Sequence, residues 1–205
     1  MILSKSLKHG ARYNYRVHKH KLENLCDNGF ENLKKFIIKS FTQCPNEYFF
    51  QGPRSSVLKF SVLENKPERI DHEVALLARM GLDSNYYEDA HSNVQMFMLS
   101  YDEKTIAMET PIWLLPEDLE NYEEIFKEEH PLTGHIDILR IENNKIWVWD
   151  YKPNAHREKY ADTQTYFYAL MLSKRTGIPL EKFMCGYFDD KNTYTFNPAK
   201  IRINK

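Results

Sequence analysis

The sequence predicts an α/β fold: a central mixed β-sheet flanked by helices. Three observations carry this. The chain has 205 residues, 42% hydrophobic and 14% aromatic, enough to build one packed core. Helical periodicity prevails in the first hundred residues, and β-branched, apolar runs in the rest. A strand–turn–strand unit, a long helix and two late strands then follow one another, the order of a mixed sheet covered by helices.

Element by element, residues 1–25 are polar and basic, with Arg12, Arg16, His18, Lys19, His20 and Lys21 interleaved with Tyr13 and Tyr15. This run suits a surface helix, or alternatively a clamp on DNA through Arg12, Arg16, Lys19 and Lys21. Asn28-Gly29 breaks the pattern. Phe30, Leu33, Phe36, Ile37 and Phe41 recur at helical spacing and predict a core-facing helix. Pro45 and Gly52-Pro53 bracket an aromatic loop, Tyr48-Phe49-Phe50, read as core, with stacking on single-stranded bases as the other reading. Residues 68–80 predict a helix with Ile70, Val74, Leu77 and Ala78 inward and Gly81 as its stop. Asp83 or Ser84 is expected to cap the next helix, which runs to about Ser100.

Thr105 to Leu115 reads as a strand, and the acidic stretch 116–130 as a solvated helical insertion. Residues 133–141 and 145–152 predict two strands joined by the tight turn Asn143-Asn144. Tyr160 to Lys174 predicts a helix stopped by Gly177 and Pro179. Phe183–Phe188 and Thr193–Phe196 complete the sheet. With no linker in evidence, residues 1–205 are expected to form one domain, a helical extension over about 1–65 and a core over 66–205.

Charge narrows the function classes. The formal net charge is −1 with 28% charged residues, so any nucleic-acid binding must use local positive charge and a screening cation. Cys26, Cys44 and Cys185 are widely spaced, which argues for reduced, buried thiols over a disulfide framework or zinc knuckle. No apolar run approaches a membrane span and no signal-peptide core is present, so the expectation is a soluble, cytoplasmic chain without a membrane partner.

The chemistry concentrates in the second half. Asp137 and Asp150 fall across the expected hairpin, where neighbouring strands lie roughly 5 Å apart and two carboxylates can converge on one hard cation such as Mg²⁺ or Mn²⁺. Lys152, two residues after Asp150, shares its face. Its ammonium can orient a water, help remove a proton, or stabilise charge on a phosphate, and its role as a base stays open. Gly134 allows close approach of a ligand or of a packing helix. Gln164 and Tyr168, four apart on a helix, share a face suited to a phosphate, a base or the lysine. His91 and, one helix earlier, His72 are imidazoles that can join such a site or serve as capping and core groups. His135 is expected on the opposite side of its strand from Asp137, as a structural residue.

Gly134-x-x-Asp137, Asp150-x-Lys152 and Gln164-x-x-x-Tyr168, with a helical histidine upstream, resemble the RecB-like branch of the PD-(D/E)XK nuclease superfamily. That branch includes the nuclease domains of RecB and AddAB-type helicase–nucleases and the CRISPR-associated RecB-like exonucleases. The resemblance covers about residues 88–190. It implies a restriction-endonuclease-like core and metal-dependent cleavage of DNA, single-stranded or at duplex ends. It implies Asp137, Asp150 and the carbonyl of Tyr151 as metal ligands, with His91 as the upstream histidine. Lys152 would be the catalytic lysine, Gln164 and Tyr168 substrate supports, and Glu109 an accessory acid. CRISPR-related members often carry four cysteines for an iron–sulfur cluster. This chain has one cysteine after the motifs, so no cluster is expected. The reading is an exonuclease or end-processing nuclease in repair, recombination or CRISPR adaptation. A structure-specific endonuclease and a non-cleaving DNA-binding subunit are the alternatives, and no protein partner is identified.

Overall fold

The computed structural model describes residues 1–27, 29–63 and 67–201. Asn28 of the expected break, and the expected division at 65/66, lie outside the described residues. Eight strands form one mixed sheet in the order β1-β2-β4-β5-β6-β7-β8-β3, confirming the α/β class. The strands are β1 (Ile2–His9), β2 (Ala11–His18), β3 (Glu68–Ile70), β4 (Thr105–Leu114), β5 (Leu132–Glu142), β6 (Lys145–Tyr151), β7 (Phe183–Phe188) and β8 (Thr193–Phe196). Among the described strands the one parallel pair is β6 with β7. The long helix between those strands, α7 (Ala161–Thr176), makes the crossover that a parallel pair demands.

Local sequence accounts for most boundaries. Asn143 and Asn144 both adopt positive φ, 50° and 56°, the backbone of a two-residue turn between β5 and β6. Gly177 ends α7 in the left-handed region at φ 69°. Leu33, Phe36 and Ile37 bury the inner face of α2 (Glu31–Gln43). That helix, α1 (Lys19–Cys26) and α7 share one apolar cluster with β4 and β5, whereas Val74, Ala78, Val94 and Met98 pack with Trp147 and Trp149 in a second.

Several expectations are corrected. The first eighteen residues are not helical: β1 and β2 make a hairpin around Gly10 (φ 80°), and β2 joins β4 through Arg16↔Met108 and Val17↔Ala107. Alternating polar and apolar residues from Lys5 to Val17 carried that strand signal beneath the basic charge. Residues 68–70 are strand, and α4 begins only at Glu73, with His72 as N-cap accepting the Val74 N–H. Gly81 does not stop α4 (Glu73–Ser84). It lies within the helix where α4 crosses α5 (Ala90–Tyr101), and a Cβ there would come 2.8 Å from Val94 Cα. Asp89, not Asp83 or Ser84, caps α5 by accepting the Ser92 N–H. The aromatic loop forms a short helix, α3 (Tyr48–Gln51), whereas the acidic stretch is helical as expected over α6 (Tyr122–Phe126), with Tyr122 buried. Among the described residues no helix is long and apolar enough to cross a membrane.

One charged network braces the sheet. Arg140 on β5 is fully buried, and its guanidinium donates to Asp102 (2.8 Å), Glu142 (3.1 Å) and Glu73. Lys104 joins Glu73 and Glu142. Strand β5, helix α4 and the end of α5 are thereby tied at one point.

Candidate active site

The site lies where the sheet parts. The β5–β6 ladder runs from Glu142↔Lys145 to Ile138↔Trp149 and stops. Beyond it β6 continues alongside β7, while residues 53–54 come alongside β5: Thr133 donates to Pro53 O, and Arg54 bridges Thr133. Asp137 and Asp150 occupy the first rung after pairing ends. The Tyr151 N–H donates to Asp137 Oδ2 at 3.0 Å.

On one side of this fork stand the carboxylates and α5. His91 Nε2 is 3.2 Å from Asp137 Oδ2 and 3.7 Å from Glu109 Oε1. His91, Glu109 and Asp137 each present a ligand atom within 4.8 Å of the others. Glu109 is held by Gln95 Nε2 at 2.7 Å, and the same amide reaches Asp137 O at 3.4 Å. Glu109 has φ 51° within β4, a left-handed backbone that costs a non-glycine residue roughly 1–2 kcal/mol. Regular strand geometry is given up at the position that carries the carboxylate.

On the other side stand Lys152 and α7. Lys152 Nζ lies 2.7 Å from Asp150 Oδ2, off the hydrogen-bonding direction, so that this buried oxygen has a counter-charge but no aligned donor. Gln164 Nε2 donates to Asp150 Oδ1 (3.3 Å) and to Tyr168 Oη (2.8 Å). Gly134 makes room for this arrangement, because a Cβ there would run into the Tyr168 ring and come 2.7 Å from Ser55 Oγ. Of the two uses the sequence allowed for Gly134, close helix packing is the one observed.

Electrostatics follow from crowding. Burial and the neighbouring Asp137 charge push Asp150 up to about 8, against the pull of Lys152. Glu109 rises to about 7, from burial first and then Asp137. Burial disfavours the His91 cation, but Asp137 and Glu109 outweigh it and raise His91 to about 9. Burial opposes the Lys152 charge too, yet Asp150 and Asp137 hold its pKa well above the usual lysine value. Burial also penalises ionised Asp137, but His91 and Lys152 outweigh this and keep it below the ordinary carboxylate range. Three groups therefore retain protons that a cation would displace.

The donors suit a hard or borderline divalent cation: two carboxylates and an imbalanced imidazole within one small space, with Asp150 Oδ2 lacking an aligned donor. His91, Glu109, Asp137 and Asp150 are the residues that would hold it.

The remaining expected residues separate. Lys21 is turned inward and donates to Leu99 O (2.5 Å) and Asp102 O (2.7 Å), where it closes the end of α5. Lys19 is exposed beside Glu23. Arg16 lies 5.8 Å over the Tyr87 ring, and Arg12 is exposed on β2. His72 packs against Trp147 and Trp149 and meets Glu142 at 3.4 Å. His135 is corrected: two residues from Asp137, it shares that residue's side of β5 by strand period. It stacks on Tyr13 (3.7 Å between ring centroids) and meets Arg54 at 3.1 Å and His9 at 2.9 Å. Arg54 also donates to His9 O and lies 4.9 Å over the Tyr13 ring. The sequence reading missed Arg54 and Gln95. Gln95 was available as the i+4 neighbour of His91, but Arg54 carried no local signal.

A family model for the PD-(D/E)XK nuclease superfamily matches residues 54–204. The chain belongs to the PD-(D/E)XK nuclease superfamily. PD-(D/E)XK proteins are in general hydrolases of nucleic acids that use divalent metals. The fork, its acids and Lys152 all fall inside the matched span, apart from the wall that Tyr13 and His9 contribute. No curated protein and no solved structure matches the chain.

Proposed function

We propose that this chain is an active, Mg²⁺- or Mn²⁺-dependent deoxyribonuclease of the RecB-like branch, acting on single strands or duplex ends. The observation that carries it is the meeting of His91, Glu109, Asp137, Asp150 and Lys152 at one fork, from four separate elements and the turn after one of them. A divalent ion held there would supply Lewis acidity toward a scissile phosphate and a water.

The protein's own groups then have distinct work. Asp137 and Asp150 would hold the cation, and the Tyr151 N–H fixes the Asp137 carboxylate. Gln164 and Tyr168 fix Asp150 from α7 and thereby act as positioning residues. Lys152, held protonated, stabilises charge developing on the phosphate and orients the attacking water. Arg54, braced by His135 and Tyr13, adds a second cation beside the acids. Arg12 and Arg16 on β2 and the exposed Lys19 are the proposed contacts for a DNA backbone, whereas Lys21 is committed to α5.

The test is cleavage of end-labelled linear, circular and branched DNA with manganese. Linear DNA should be shortened from its ends. Lys152→Ala and Asp137→Asn should each lower the rate at least a hundredfold with the fold retained, and EDTA should abolish it. Cutting of circular or branched DNA without end dependence would replace the exonuclease reading by an endonuclease one. Binding without cleavage of any form would leave a DNA-binding subunit.

A further inference from the structure

A second concave surface lies away from the fork, where α2, the end of β4 and the end of α7 meet. This cavity of about 670 Å³ is lined by Lys35 and Lys39 of α2, Lys174 and Arg175 of α7, Trp113 of β4, and Tyr48. No acidic residue is among those that line it. Arg175 is engaged by Asp118 and lies 5.9 Å over the Trp113 ring. Its Nε is buried without a hydrogen-bond partner. Lys35, Lys39 and Lys174 are exposed and make no ion pair among the described residues. Lys174 complements the negative end of α7, and Lys35 follows Glu31 by four residues on α2 without an ion pair to it, while Lys39 is a like charge one helical turn beyond Lys35.

Three cations without an ion-pair partner among the described residues, around one hollow in a chain of net charge −1, disfavour one another and favour an anion. Trp113 beside them is a partly exposed aromatic residue whose ring Arg175 also approaches. Cations for phosphate next to an aromatic ring for a base form the pattern that single strands require. Trp113 and Glu109 are four residues apart on β4, about 13 Å along a strand, which is about four stacked nucleotide steps.

We propose that this cavity is an anchoring site for a nucleic-acid strand, with phosphates on Lys35, Lys39 and Lys174 and a base against Trp113. It rests on the nuclease reading for the identity of the strand as substrate, but binding here needs no metal. The test is binding of a labelled dT12 oligonucleotide to the full chain in EDTA, across a salt series. The triple variant Lys35→Gln/Lys39→Gln/Lys174→Gln should bind at least tenfold more weakly at low salt. Its slope of log affinity against log salt should be smaller by about 2, the loss of three single-strand phosphate contacts. Trp113→Phe should lose less than Trp113→Ala. Unchanged affinity in the triple variant overturns the proposal. So does binding of dTMP or inorganic phosphate as tight as that of the oligonucleotide, which would make the cavity a small-anion pocket. Loss of cleavage with this binding pattern intact would count against the nuclease reading alone.

Discussion

Gly134 shows how one residue without a side chain governs a site three positions away. Its missing Cβ is the space that the Tyr168 ring fills, and Tyr168 in turn steadies Gln164 against Asp150. Gly134→Ala should destabilise the chain by about 1–3 kcal/mol, the usual cost of overpacking, and should lower cleavage by displacing Tyr168. Urea unfolding together with a cleavage rate would check this. A variant with parent-like stability and rate would remove Tyr168 from the chain of support. At this scale the sequence was informative where spacing encodes geometry. Asp150 and Lys152 share a face, Gln164 and Tyr168 share a helix side, and both pairs are observed as such. It was uninformative for Arg54, whose place depends on a loop docking beside Thr133, a contact 79 positions away that no local pattern encodes.

Among elements, the charged knot around Arg140 does the bracing. Arg140 is buried with several carboxylate partners, so removing it strands Asp102 inside the protein. Arg140→Ala should cost about 3–5 kcal/mol, whereas Arg140→Met should cost less only if Asp102 is also made apolar. A double-mutant cycle with Asp102→Ala, read by denaturant unfolding, measures the coupling. Additive effects would mean that the pair is not coupled. Glu73 belongs to the same knot. Burial opposes its charge, but hydrogen bonds from Lys104 and Arg140 bring its pKa down to about 2. Its contribution is present above the ordinary glutamate range and is lost as pH falls toward 2. Elements were legible where apolar periodicity was strong, as in α2, α7, β7 and β8. They were misjudged at the N-terminus, where basic residues on the exposed side of a hairpin obscured its alternation, and at Gly81, where a helix crossing uses glycine for proximity.

For the whole molecule, the metal-free site works against folding as pH rises. His91, Glu109 and Asp150 all have folded pKa values above their ordinary ones. Their favourable contribution is complete below those ordinary values and is lost as pH rises through about 7 to 9. A divalent cation displaces the same protons, so its affinity must increase over that window. The rise in melting temperature caused by a fixed millimolar manganese concentration should therefore grow from pH 6 to pH 9 and vanish in Asp137→Asn. A shift independent of pH would show that the ion binds elsewhere.

The early end of the β5–β6 ladder has a consequence for how the protein can change. The β5–β6 pairing covers the rungs from Ile138 to Glu142 and the knot at Arg140 lies within it, whereas the proposed reactive groups lie just past the last rung. On the proposed reading, a lineage could exchange the groups at this seam, Asp137 and Lys152 among them, and trade one chemistry for another while keeping its scaffold.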